Sequence, residues 1–208
     1  MFDADLETYL VHFTRNMVFV AIARGVQSLP PMLICTVGHS IRTLEVFVEI
    51  LRTAEVTLLV DIRSVPRSRR MPQFNAEALE VSLPSYGIRY VREPRLGGFR
   101  RATSERSPNI GWRHKSFRAY ADYMQTAPFR AAINDLMDLA ISDRVVLMCA
   151  EAVPWRCHRT LVADALTVRG VEVRDLMDRH RWQLHHLTPF AHAEGNELTY
   201  PAYAPPSQ

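Results

Sequence analysis

The stretch Val145-Val-Leu-Met-Cys-Ala-Glu-Ala-Val-Pro-Trp-Arg-Cys-His-Arg159, running into the apolar period of Leu161 to Val168, decides the fold. Its opening residues predict a buried strand, the middle a loop crowded with reactive side chains, and the end a helix. Cys149, Glu151, Arg156, Cys157, His158 and Arg159 then fall where the carboxyl end of a parallel strand meets a helix amino terminus. Open α/β sheets bind ligands at that place, so the concentration predicts an active or anion-binding site.

Outward from this stretch, strand and helix patterns alternate. Strands are predicted at Leu33–Val37, Thr57–Ile62, Ile88–Val91, Val145–Cys149 and Val171–Leu176. Helices are predicted at Thr43–Ala54, Ala76–Ser82, Phe117–Met124, Pro128–Ile141 and Cys157–Arg169, the last stopped by Gly170. Strands separated by helices imply right-handed crossovers and a single three-layer α/β domain, with a mostly parallel sheet of about five strands and helices on both faces. The domain is expected over residues 32–190, with an arginine-bearing insertion from Arg92 to Lys115 of the kind that forms lids or lacks fixed structure. A tail, residues 191–208, is expected to pack in part.

Ahead of the domain, residues 1–31 read as a helical extension. Leu6, Tyr9, Leu10, Phe13, Met17, Val20 and Ala21 recur at helical spacing until Pro30-Pro31. Met32 stands just before the first apolar strand, so a start at that residue is the alternative.

A chain of 208 residues with 48% apolar content supports one well-buried core. Its net charge of +3 is unevenly spread, with 13 Arg or Lys against 5 Asp or Glu from Asp61 to Arg118. Lys115 is the one lysine, and arginine's planar fork suits phosphate. Cys35, Cys149 and Cys157 make an odd count without disulfide spacing, which favours a reducing cytoplasm. The apolar run Met17 to Ala23 is too short to span a bilayer, so no membrane partner is expected.

Three strand ends carry chemistry. Thr36-Val-Gly-His-Ser40 offers His39 and Ser40 after a glycine turn, with Thr43 as helix N-cap. Asp61-Ile-Arg-Ser-Val-Pro-Arg-Ser-Arg-Arg70 closes an apolar strand with a carboxylate, either a general base or the partner of Arg63. Arg63, Arg67, Arg69 and Arg70, interleaved with serines, suit phosphate contacts or simply form a solvated loop. In the opening stretch, Arg156 and Arg159 favour an anion, and Glu151 is placed to act on water. Six residues separate Cys149 from Arg156, one more than a phosphocysteine loop uses. A zinc site on Cys149, Cys157 and His158 lacks a fourth ligand, so no metal is expected. Among the aromatic residues, Trp112 and Phe99 are the candidates for stacking on a base.

These residues resemble a known family. Thr36-Val-Gly-His-Ser40, Val60-Asp-Ile-Arg-Ser-Val-Pro-Arg-Ser68, Pro72-Gln-Phe-Asn75, Gly87-Ile-Arg-Tyr90, Leu96-Gly-Gly98, Tyr120-Ala-Asp-Tyr-Met124 and Met148-Cys-Ala-Glu-Ala-Val-Pro-Trp-Arg-Cys-His-Arg159 are similar to the bacterial and archaeal domain of unknown function 488, from about Leu33 to Pro201. The resemblance implies a compact α/β domain and a shared polar site at His39, Ser40, Asp61, Arg63, Arg67, Cys149, Glu151, Cys157, His158 and Arg159. It supplies no reaction.

The leading expectation from the residues is an enzyme on nucleic acid or nucleotides, DNA ahead of RNA. It would be a hydrolase that cuts an N-glycosidic bond in damaged or modified DNA, as a DNA glycosylase does in repair or defence. Asp61 or Glu151 would activate water, His39 or His158 would transfer protons, and Ser40, Arg63, Arg67, Arg156, Arg159 and Trp112 would hold phosphate or base. No cofactor is needed. Two alternatives stand beside it: a noncatalytic phosphate-binding module, and a thiol-dependent or redox enzyme using Cys149 and Cys157.

Overall fold

A computed structural model describes residues 31–101 and 106–202. The helix predicted between Asp5 and Ser28 lies outside the described residues.

A six-stranded sheet in the order β3-β2-β4-β1-β5-β6 forms the middle layer. Its parallel strands are β1 (Leu33–Gly38), β2 (Leu58–Asp61), β3 (Arg89–Arg92), β4 (Val145–Cys149) and β5 (Glu172–Leu176). β6 (Trp182–Leu184) pairs antiparallel with β5 at one edge. Every residue of β4 is buried, because β1 and β2 flank it in the sheet and helices cover both faces. A central parallel strand therefore reads as one continuous apolar run.

The two faces sort the helices. α1 (Leu44–Thr53) and α2 (Ala76–Ser82) pack on Cys35, Val37, Leu59, Val146 and Met148. α3 (Lys115–Met124), α4 (Ala127–Ser142) and α5 (Arg159–Thr167) pack on Leu58, Val60, Val145, Leu147 and Cys149. Alternate residues of β2 and β4 thus feed opposite cores, as the strand period of two requires. Thr43 caps α1 by accepting a hydrogen bond from the Val46 amide, with Glu45 in the first turn and Arg52 in the last, each placed to favour the helix dipole. None of the helices among the described residues is long and apolar enough to cross a membrane.

The sequence pattern predicted a mostly parallel sheet with helices on both faces, and that is the architecture found. It did not predict three short strands. β6 extends the main sheet, while β7 (His192–Glu194) and β8 (Glu197–Thr199) form a separate hairpin turned by Gly195, whose φ is +58°. Tyr200, next along the chain, is fully buried and joins the cluster that holds α5.

The insertion after β3 is tied down on both sides of the undescribed residues 102–105. A short 3-10 turn at Pro94–Leu96 buries Leu96 completely, and the Phe99 amide donates to Ser64 Oγ at 2.9 Å. Asn109, also fully buried, accepts from the Tyr200 amide and donates to Asp122.

Candidate active site

β1 and β4 are neighbours, yet the chain leaves them in opposite directions, β1 toward α1 on one face and β4 toward α5 on the other. Such a reversal opens a crevice at the carboxyl ends of the strands. Backbone hydrogen bonds knit the loops there: His39 N–H to Cys149 O at 3.0 Å, Ser40 N–H to Ala150 O at 2.9 Å, and Ile62 N–H to Met148 O at 3.1 Å. The approach is close enough that a Cβ on Gly38 would sit 1.7 Å from the Glu151 carbonyl oxygen. Glycine is required there by contact.

At the centre of the crevice lie two free thiols. Cys149 ends β4, and the 3-10 turn Pro154–Arg156 brings the chain back so that Cys157 Sγ donates to Cys149 Sγ at 2.8 Å. Arg159, 1% exposed, donates from Nη1 to Cys149 Sγ at 2.9 Å and to Glu151 O at 3.0 Å, and from Nη2 to Ala152 O at 3.2 Å. Its Nε has no partner, and no carboxylate among the described residues lies within ion-pair distance. Asp175 feels the Arg159 charge at longer range, but its oxygens face Thr36 and His185. At bonding distance, the group able to carry a compensating charge is the Cys149 sulfur.

Burial alone would push the Cys149 thiol up. The hydrogen bond from Cys157 and the charge of Arg159 outweigh it and bring the pKa below the ordinary thiol value, to about 7. Cys157, donating to that sulfur and itself buried, is pushed well up. The pair therefore divides into a thiolate and a thiol. Cys35 sits apart on the other face and is pushed up to about 11 by burial.

A second cluster forms one wall. Asp61, fully buried, accepts four hydrogen bonds: from Arg63 N at 3.0 Å, Arg63 Nε at 2.8 Å, Arg63 Nη2 at 2.5 Å and Tyr90 Oη at 2.8 Å. Arg63 Nη1 reaches His39 Nε2 at 3.2 Å, while His39 Nδ1 faces Ser40 O at 3.0 Å. Since a carbonyl only accepts, Nδ1 carries the proton and Nε2 accepts from Arg63. Burial and the Arg63 charge push His39 down to about 4, so the ring, stacked on Phe74, is neutral.

Between these clusters opens a cavity of about 330 Å³, lined by Arg63, Ser64, Val65, Gly98, Phe99, His114, Ser116, Phe117, Cys149, Ala150, Glu151, Arg156, Cys157 and His158. Seven sequence-predicted residues meet on it: Arg63, Phe99, Cys149, Glu151, Arg156, Cys157 and His158. Phe99 is 81% exposed on its rim. His158 Nε2 faces Ile62 O at 3.2 Å, and burial pushes this histidine, too, down to about 4. No group of three or more His, Cys, Asp or Glu among the described residues is arranged to hold a metal ion.

Other predicted residues lie elsewhere. Asp61 and His39 stand behind Arg63, and the Asp61 oxygens are too fully bonded to serve as a general base, so the pairing alternative describes its place. Arg159 is turned inward to sulfur and carbonyls, away from any phosphate on the surface. Arg67 is exposed and paired with Glu77. Ser40 is held by its backbone at φ +52° and does not line the cavity. Trp112, expected to stack on a base, instead packs on Phe117, Phe190 and Tyr200, because the insertion folds onto the core.

Sequence reasoning missed His114, Ser116 and Phe117 as cavity residues, and a buried network beneath the site. Asp164 accepts from His185 Nε2, Thr188 N, Thr188 Oγ1 and Tyr200 Oη, and His185 Nδ1 lies 3.5 Å from Asp175. Burial opposes charge on His185, but the two carboxylates prevail and raise its pKa to about 9.

Comparison with curated proteins and with solved structures gives no match. The profile of "Domain of unknown function DUF488" matches residues 43–166, more than half of the chain. That span runs from the N-cap of α1 into the last turn of α5 and includes Asp61, Arg63, both site cysteines, His158 and Arg159. The chain belongs to the DUF488 family.

Proposed function

We propose that the protein is a thiol-dependent enzyme whose nucleophile is the Cys149 thiolate. The observation that carries it is the buried Arg159 guanidinium donating to Cys149 Sγ without a carboxylate at ion-pair distance among the described residues. Cys157 supplies the second donor, and the cavity lining holds Arg156, whose guanidinium has no ion-pair partner among the described residues, which suits an electrophile with a leaving anion. A reducing compartment keeps the pair reduced, as one thiolate and one thiol.

Competitive alkylation tests this. With limiting iodoacetamide at neutral pH, Cys149 is labelled first and Cys35, whose pKa is pushed up to about 11, last. Labelling of Cys149 no faster than Cys35 overturns the proposal.

One observation favours a second function, nucleic-acid hydrolysis at an N-glycosidic bond. The Glu151 side chain is exposed, has no hydrogen-bond or ion-pair partner among the described residues, and shares the cavity with Arg156 and Phe99. It would direct water while Phe99 stacks on an extruded base. Alkali-labile sites in end-labelled DNA, produced by wild type and absent with Glu151→Gln, would establish it. Their absence with wild type on unmodified, alkylated and modified-cytosine DNA removes it.

A further inference from the structure

We infer, resting on the thiolate reading above, that this is a two-thiol peroxidase site: Cys149 reduces a small hydroperoxide, Cys157 then closes a disulfide onto it, and His158 accepts the Cys157 proton.

The spacing of the thiols is the first support. Cys157 Sγ stands 2.8 Å from Cys149 Sγ, and a disulfide is about 2.05 Å long, so a shift of roughly 0.8 Å closes the bond.

The tautomer of His158 is the second. Its Nε2 faces the Ile62 carbonyl oxygen, so the proton sits on Nε2 and Nδ1 is an acceptor, 3.5 Å from Cys157 Sγ. Gly98 presses against that edge of the ring: a Cβ there would lie 2.4 Å from Nδ1. The Cys157 proton thus has two acceptors within reach. In the resting site it points to the Cys149 thiolate; once that sulfur is oxidised and neutral, His158 Nδ1 remains.

Access is the third. Cys149 is 1% and Cys157 4% exposed, and both line the cavity. A protein disulfide cannot bring its sulfur to a target so deeply set, whereas a hydroperoxide fits. Val65, Phe99 and Phe117 give apolar walls, and Arg156 brings a positive charge to the lining for the departing oxygen.

The steps balance. The Cys149 thiolate attacks the hydroxyl-bearing oxygen of R–O–O–H, an S–O bond forms, and the O–O bond breaks. The alkoxide leaves with the electron pair and takes a proton from solvent. Cys157 sulfur then attacks the sulfenic acid, forming S–S and breaking S–O; its proton passes through His158 Nδ1 to the departing hydroxide, giving water. Each cysteine loses one electron and the hydroperoxide gains two.

The test uses the reduced full chain with hydrogen peroxide in one arm and tert-butyl hydroperoxide in the other. The expected result is oxidation about a hundredfold faster than free cysteine at the same pH, a Cys149–Cys157 disulfide in the peptide map, and Cys35 still reduced. Cys35→Ser leaves the rate unchanged. Cys157→Ser stops at a Cys149 sulfenic acid trapped by dimedone. His158→Gln slows disulfide closure without slowing peroxide consumption in the first turnover. Oxidation no faster than free cysteine in either arm overturns the inference, as does a lasting sulfenic acid in wild type. Should Cys149 alkylate at neutral pH yet ignore both hydroperoxides, the peroxidase step falls and the thiolate reading stands; should it label no faster than Cys35, both fall.

Discussion

Arg159 Nη1 lies 2.9 Å from Cys149 Sγ, and the guanidinium, 1% exposed, meets only sulfur and backbone carbonyls among the described residues. A buried cation with such partners is stabilised by ionising the sulfur. The thiol hydrogen bond from Cys157 pulls the same way.

Removing that second donor tests the division of labour. In Cys157→Ala the alkylation midpoint of Cys149 moves upward by about one pH unit, because a lost hydrogen bond to a charged acceptor is worth about 1.5–3 kcal/mol before the remaining donors adjust. Cys157→Ser, which keeps an O–H donor, restores most of the shift. The pH dependence of the iodoacetamide rate measures both.

Asp61 and Glu151 separate by stability. Asp61→Asn leaves the nearly buried Arg63 without its counter-charge and costs about 3–5 kcal/mol in denaturant unfolding. Glu151→Gln, on an exposed side chain without partners, changes stability by less than about 0.5 kcal/mol. Equal small effects would show that the Asp61 pair does not hold the wall.

Gly38→Ala forces a methyl group onto the Glu151 carbonyl oxygen, a backbone atom that cannot move aside cheaply. The expected loss is about 3 kcal/mol or more, read as a lower thermal midpoint. Gly87→Ala meets no atom within 4 Å but sits at φ +75°, so its smaller loss, about 1 kcal/mol, reports backbone strain alone.

Three histidines give the pH profile of folding its shape. His39 and His158 are pushed down to about 4, so the unfolded chain binds their protons first, and stability falls as pH drops from about 6.5 toward 4. Each contributes on the order of 3 kcal/mol to that fall. His185 is raised to about 9; its contribution is fully present below about 6.5 and is lost as pH rises through 9. His185→Gln therefore flattens the alkaline limb and leaves the acid limb in place, as urea midpoints across pH would record.

The sheet was legible because Val145–Cys149 and Leu33–Val37 are apolar runs between helical periods, and central parallel strands leave that trace. Trp182–Leu184 is too short and too exposed to leave one. The hairpin at His192–Thr199 carries one signal, the Gly195-Asn196 turn, but its three-residue strands are too short to show a period of two. At the site, the stretch Cys149–Arg159 pointed to the carboxyl ends of the strands, where Cys149, Glu151, Arg156, Cys157 and His158 line one cavity. What it did not reveal was direction: whether Arg159 faces solvent or sulfur depends on the 3-10 turn at Pro154–Arg156, which folds Cys157 back over Cys149. Asp61 was legible as either base or ion-pair partner, and only the position of Arg63 and Tyr90 decides between them.

The most direct measurement is a titration of thiolate absorbance in the ultraviolet, comparing wild type with Cys149→Ser. A rise with a midpoint near 7 in wild type, missing from the variant, is the predicted result. A wild-type midpoint in the ordinary thiol range or above, unchanged by the substitution, would contradict the thiolate at Cys149 and the function built on it.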